Sequence, residues 1–299
     1  MKRTMRSEKY DESLEKSIRE LQREQRHLRL LKLKKNKLAI IGGLITIFMI
    51  LIAIFAPLIA THDPYDMIVL DRLKGPSAAH LFGTDATGRD VFSRVLYGTR
   101  VSMFIGFSVA LYSMIIGMVV GLFASYYKVL DSVLMRICDG LTAIPSSLLA
   151  VALMSALGAS EKNVIISLVA VSFPKVARIA RAQAMVVKEQ TYIEAMKASG
   201  SGTLRILFRH IAPNVLSPVI VQVSFAFANA IITEAALSFL GVGVPIPQPS
   251  WGNILYEGKE VISKAWWMIV FPGAFTAAAV LGLNILGDGL RDLLDPHIN

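Results

Sequence analysis

The sequence predicts an all-α integral membrane protein with six membrane-crossing helices. Of its 299 residues 54% are hydrophobic and only 18% charged, with a mean hydropathy of +0.55. A soluble chain of this size carries more charge and shorter apolar runs. The apolar residues are also clustered. Leu38 to Ala60 is a run of 23 residues without a charge, and roughly 20 suffice to cross a hydrocarbon core of about 30 Å. Backbone groups in lipid must bond within their own segment, so each such run is helical. This first run is too long, and starts too far along the chain, for a cleaved signal peptide.

In chain order, residues 1–37 read as a basic arm. Leu14, Ile18, Leu21, Gln25 and Leu28 recur at alternating spacings of four and three. They form one helical stripe, apolar except for Gln25, with charges on the other faces. Such an amphipathic helix suits an anionic inner leaflet or the surface of a cytoplasmic partner, and both readings stay open. Spans are expected at 38–60, 101–125, 133–157, 163–184, 214–240 and 267–287. Residues 61–100 form an extracytoplasmic loop, 101–290 the core with five spans, and 291–299 a tail. Only Gly158, Ser160, Glu161 and Lys162 break the chain between the third and fourth spans. Gly117 and Gly121 are a small-xxx-small pair that lets another helix approach. Pro145 and Pro174 predict kinks or helix ends.

Basic residues orient the chain. With the N-terminus inside, 23 of the 31 Lys and Arg face the cytoplasm: 13 in 1–37, Lys128, Arg136, seven from Lys175 to Arg209, and Arg291. The other eight lie outside. Those in 61–100 are balanced by Asp63, Asp66, Asp71, Asp85 and Asp90. The net charge of +9 is thus explained by topology and requires no nucleic acid.

Catalytic signatures are missing. There is no G-x-x-x-x-G-K-[ST] for ATP, no H-E-x-x-H, no G-x-S-x-G and no Cys/His cluster for a metal. The five histidines are scattered at 27, 62, 80, 210 and 297, and Cys138 is the lone cysteine. Polar residues within the spans are few: Asp139, Asn229, Glu234, Asn284 and Asp288. The three acids are expected near span ends, within reach of water or headgroups. "GTDATGRD" (Gly83 to Asp90) lacks the acidic alternation of an EF-hand. It predicts a capped turn ahead of an amphipathic outer helix.

One cytoplasmic stretch is basic yet still helical in pattern. Residues 177–198 are helix-prone. Gly200-Ser201-Gly202 breaks the helix, Thr203 caps a second one carrying Leu204, Ile206, Leu207, Phe208 and Ile211, and Pro213 stops it before the fifth span. The result is a helix–turn–helix hairpin over about 186–213.

Glu194-Ala195, Gly200 and Pro213 resemble, in identity and spacing, the E-A-A-x-x-x-G…P signature of ABC importer membrane subunits. Met196 replaces the second Ala, and Ala212 the usual Leu before Pro; both remain apolar and helix-compatible. "HLFGTDATGRDVFSRVLYGTR", "FRHIAPN", "EAALSFLGVGVP", "PSWGNIL" and "LNILGDGLRDLLDP" are similar to the C-type permeases of the dipeptide/oligopeptide branch. The likeness covers nearly the whole chain after about Lys34.

This resemblance implies the six-helix type I ABC importer permease fold in a bacterial cell membrane, with both termini cytoplasmic. It implies a non-catalytic subunit paired with a homologous B-type permease. Two ATPase subunits would bind ATP and Mg below, an extracytoplasmic solute-binding protein would sit above, and peptide would be the cargo. The chain itself would hold no cofactor. By the same resemblance Glu194, Ala195, Gly200, Ser201, Leu204 and Arg205 would couple to the ATPases. Asn229 and Glu234 are candidates for the translocation pathway or gate. Asp85, Arg89, Asp90 and Trp251 are candidates for contact with the binding protein. Nickel, opine and glutathione importers share this permease type, which leaves the cargo open. A secondary transporter or a membrane-embedded enzyme are the rival classes.

Overall fold

A computed structural model describes residues 36–294. The expectations for the arm, including its apolar stripe, and for the last five residues fall outside that range. The described residues are helical apart from loops and one isolated bridge, Thr84 to Asp90. Five helices are long and apolar enough to cross a membrane, and a sixth span exists if one bent pair counts as a single crossing.

Helix α1 is Lys37–Ile59. The Asn36 side chain caps it, accepting the Ala39 N–H at 3.0 Å, and donates to the Gly289 carbonyl at 3.1 Å. Its outer face shows Leu44, Ile47, Phe48, Ile54 and Leu58, which is what lipid accepts.

Helix α2, Val91–Tyr126, has 36 residues. It therefore begins ten residues before the span expected at 101, because Asp90 caps it through the Ser93 N–H at 2.8 Å. At 1.5 Å per residue it is about 54 Å long, more than a bilayer core needs. The expected outer helix and second span are one element.

The third span is not straight. Helices α3 (Lys128–Ala143) and α4 (Ser146–Leu157) meet at a bend of 96°. Pro145 lies at the break, where it offers no N–H and pushes Ile144 to extended backbone. At Pro174 the helix does not end: α5, Glu161–Lys188, continues through it. Gly117 and Gly121 of α2 lie directly against Val176, Ala177 and Ala180 of α5. A methyl on either glycine would come within 2.7 Å of its neighbours, so the small pair sets this close approach.

Helix α6 is Thr191–Ala198 and helix α7 is Thr203–Phe239. Contrary to the sequence expectation, Pro213 does not end the hairpin's second helix. The helix instead widens to a π-turn over Ile206–Ile211 and runs on. Within that turn the Ala212 N–H reaches back five residues to the Leu207 carbonyl. The wide turn gives room where the Pro213 ring would otherwise meet the preceding carbonyl. Helix α8 is Trp251–Lys259, capped by Ser250, and α9 is Trp267–Leu294.

The apolar core follows α2. One cluster at its C-terminal end joins Leu122 to Val176, Ala180, Ile206, Leu207 and Ile211. Another, nearer its start, joins Val91 and Val95 to Ile254, Trp267 and Met268. The loop 61–90 and the hairpin thus lie at opposite ends of one long helix.

Candidate functional site

The hairpin is built from few attachments. A tight turn closes α6: the Gly200 N–H donates to the Lys197 carbonyl and the Ser201 N–H to the Met196 carbonyl, both at 3.0 Å. Gly200 sits at φ +76°, a region that costs other residues energy. Thr203 is the first residue of α7 and does not cap it; Gly202 takes the cap position without a side-chain bond. The Thr203 hydroxyl lies 3.4 Å from that of Tyr126 instead.

Ile193 is the one buried residue of α6. It inserts among Ala184, Val187, Ile206, Leu207 and Ile211. Around it, Lys188 Nζ donates to the Ser125 carbonyl at 3.0 Å and lies 5.2 Å from the Tyr126 ring. Glu194, Ala195, Gly200, Leu204 and Arg205 are exposed, and Ser201 is half-buried. Leu204 and Phe208 leave 60% and 47% of their surfaces uncovered. The exposed helix is anchored to the cluster beneath it by Ile193, with Met196 packed beside it.

The cap at the other end is ionic. Asp85 Oδ2 accepts Arg89 Nε and Arg94 Nη1, each at 2.6 Å. Arg89 Nη2 reaches Glu257 Oε2 at 2.7 Å. Arg94 also pairs with both oxygens of Glu257 on α8. Two guanidinium groups and two carboxylates balance, and Asp85 Oδ1 is filled by the Thr87 and Arg89 N–H groups. Trp267 Nε1 donates to the Thr84 carbonyl at 3.0 Å, binding the loop to α9.

Four residues proposed from the sequence as binding-protein contacts are therefore turned inward. Asp85 and Trp251 are 0% exposed, Arg89 4% and Asp90 2%. They hold the cap together and present no outward surface. The reason is their partners: Glu257 lies 168 residues from Arg89, and no local spacing announces it. Arg94 and Glu257 escaped the sequence reading on the same account.

Burial also sets the charge of Asp85. Desolvation alone raises its carboxyl, but Arg94 and Arg89 outweigh this and hold it below the ordinary value of 3.8. A carboxyl depressed in the fold stabilises above its unfolded pKa, and the contribution is lost as pH falls through the folded value. The thermal stability of the purified chain is thus expected to fall on acidification below 3.8. The same scan on Asp85→Asn should lack that component; an identical acid limb in both would count against it.

Glu234 overturns another expectation. It is not at a wetted span end but 0% exposed. Ser102 of α2 donates to its Oε2 at 2.9 Å and Ser238 to its Oε1 at 2.8 Å. The Ser102 hydroxyl oxygen lies 3.4 Å from the Trp251 N–H, and the Ser238 oxygen accepts the Val244 N–H at 3.1 Å. Glu234 thereby joins α2, α7 and the loop into α8. Asn229, one turn away, is exposed on α7, so the two pathway candidates do not share a site. A groove of about 860 Å³ opens between α2 and α5, lined by Phe104, Tyr112, Ile116 and Ile166, with Glu161 and Lys162 among its polar residues.

The scattered histidines are also partly gathered. His62, His80 and Asp90 meet in the cap, with the two rings stacked 4.8 Å apart.

Comparison with known proteins is consistent along the chain. Residues 113–299 match the family described as binding-protein-dependent transport system inner membrane component. Residues 25–76 match the N-terminal TM domain of oligopeptide transport permease C. The dipeptide transport system permease protein DppC of Alkalihalophilus pseudofirmus is 45% identical over 268 residues, 89% of this chain and 88% of that protein. DppC of Escherichia coli K12 is 44% identical over 273 residues, covering 89% and 91%. A putative peptide transport system permease of Brucella abortus is 43% identical over 267 residues, covering 89% and 90%. The inward-facing MetNI methionine ABC transporter shares the fold, with a TM-score of 0.56 and 18% identity over 67% of this chain and 96% of that one.

Proposed function

The chain belongs to the binding-protein-dependent transport system inner membrane components, in their peptide-transport permease branch, and from that premise we propose how it works. It forms half of a heterodimeric pathway for dipeptides or oligopeptides. A B-type permease supplies the other half. Two ATPase subunits, which bind ATP and Mg, dock on the hairpin, and a solute-binding protein docks on the cap side. The subunit itself catalyses no reaction. It sits in a bacterial cell membrane with both termini in the cytoplasm.

The observation that carries this reading is the hairpin. It offers Glu194, Ala195, Leu204 and Arg205 to a partner while Ile193 plugs into the cluster at the end of α2. A push on α6 reaches α2, α5 and α7 through packed side chains, because such an interior is dense and transmits displacement. The groove between α2 and α5 leaves a largely apolar wall suited to cargo recognised by its termini and backbone elsewhere.

Reconstitution in liposomes tests the reading. Peptide uptake is expected only when both permeases, the ATPases, the binding protein and ATP are present. Uptake by this chain without any ATPase would establish a secondary transporter instead. ATP-dependent uptake of nickel, an opine or glutathione in place of peptide would keep the mechanism and change the cargo.

A further inference from the structure

His62, His80 and Asp90 come from separate stretches of the cap, yet one donor atom from each lies within 4.8 Å of the others. Asp90 Oδ1 is 2.9 Å from His80 Nδ1 and 3.8 Å from His62 Nδ1. We infer that these three side chains form a binding site for a divalent transition cation of the zinc class.

The donors are held before any ion arrives. Asp90 Oδ2 is committed to the Ser93 N–H at 2.8 Å, which fixes where Oδ1 points. The His62 backbone N–H donates to Ser93 Oγ at 3.0 Å. His80 is 6% exposed and Asp90 2%, whereas the His62 side chain is 37% exposed. The site is therefore rigid on two sides and open on the third, which gives an ion its way in.

His80 supplies the second argument. Both of its ring nitrogens face carboxylates: Nδ1 faces Asp90, and Nε2 lies 3.6 Å from Asp71 Oδ2. A neutral imidazole has one N–H and one lone pair. At 2.9 Å Nδ1–H donates to Asp90, which leaves the Nε2 lone pair against the charge of Asp71. A cation that takes the place of the Nδ1 proton bonds both Nδ1 and Asp90 Oδ1, and the ring then carries its proton on Nε2, toward Asp71. Asp71 then orients the ligand from behind, the usual arrangement around metal-bound histidine.

The spacing suits a small tetrahedral ion. Ligands at about 2.0–2.1 Å from zinc lie about 3.3 Å from one another. The two Asp90–His separations bracket that value. The remaining gap closes by rotation of the His62 ring, which stacks on His80 and whose Nδ1 meets Thr61 Oγ1 at 3.0 Å. Two imidazoles and one carboxylate favour zinc-like ions over calcium or magnesium, which prefer all-oxygen sets. Water would take the fourth position. Such an ion ties the chain just after α1 to the N-terminus of α2.

The test uses the full-length chain in lipid nanodiscs, freed of metal by chelation. Zn²⁺ is titrated by calorimetry and Co²⁺ by its visible absorption. Wild type is expected to bind one Zn²⁺ at this site and to give the intense bands of four-coordinate Co²⁺. His62→Ala should abolish both while leaving the chain folded, since this side chain is 37% exposed and belongs to none of the apolar clusters. Asp71→Asn should weaken binding by about 10–100-fold, the usual effect of losing an outer-shell partner. Absence of Zn²⁺ binding by wild type overturns the site. So does a stoichiometry and Co²⁺ spectrum that survive His62→Ala, which would place the ion on histidines elsewhere in the chain.

Discussion

Arg94→Ala is expected to destabilise the chain by about 3–5 kcal/mol, the cost of breaking one side of a buried ion pair. Arg94 is 0% exposed and touches both Asp85 and Glu257. Its removal leaves one cation, Arg89, between the buried Asp85 and the half-buried Glu257. Thermal unfolding of the purified chain should show the loss. The double variant Arg94→Ala/Glu257→Ala restores balance, leaving Arg89 with Asp85 at 2.6 Å. It should recover part of the stability that the two single changes lose together, because residues of one network are not additive. Strictly additive losses would show that the four charges do not act as a unit. The consequence is mechanical: the cap is what keeps the loop 61–90 joined to α8.

The second large effect concerns coupling. Glu194→Lys reverses the charge of an exposed side chain, so the fold should tolerate it while a docked partner should not. Gly200→Leu acts differently. Nothing lies within 4 Å of an added Cβ, so no clash arises, but φ +76° costs a residue with a side chain about 1–2 kcal/mol. The turn then relaxes and α6 loses its aim. Both variants are expected to insert normally and to lower ATP-driven peptide uptake by about tenfold or more, equivalent to roughly 1.4 kcal/mol of coupling. Gly200→Asn, which tolerates the left-handed region better, should retain more uptake than Gly200→Leu. Normal uptake by Glu194→Lys and Gly200→Leu would show that the hairpin does not transmit the stroke.

The long apolar runs were readable because lipid permits one backbone solution, and their composition states it. The turn at Gly200 was readable because three small residues in a row interrupt a helix-prone stretch. Proline was harder. Pro145 bends the chain as its chemistry suggests, whereas Pro213 is absorbed by a π-turn and Pro174 by a continuous helix. A proline's local penalty is the same in each case; what differs is how the surrounding backbone takes it up.

The amino-acid sequence by itself determined the membrane-spanning character, the helical class and the hairpin, since these depend on composition and local spacing, and its motifs carried the resemblance to the family. Only the tertiary structure decided what the polar residues do. It made the capped turn "GTDATGRD" part of a buried ionic cap by bringing Glu257 to Arg89 and Arg94. It moved Glu234 from a wetted end to a closed junction with Ser102 and Ser238. It drew His62 and His80, read as scattered, onto Asp90. A charge has no meaning apart from its partner and its exposure to water, and folding supplies both.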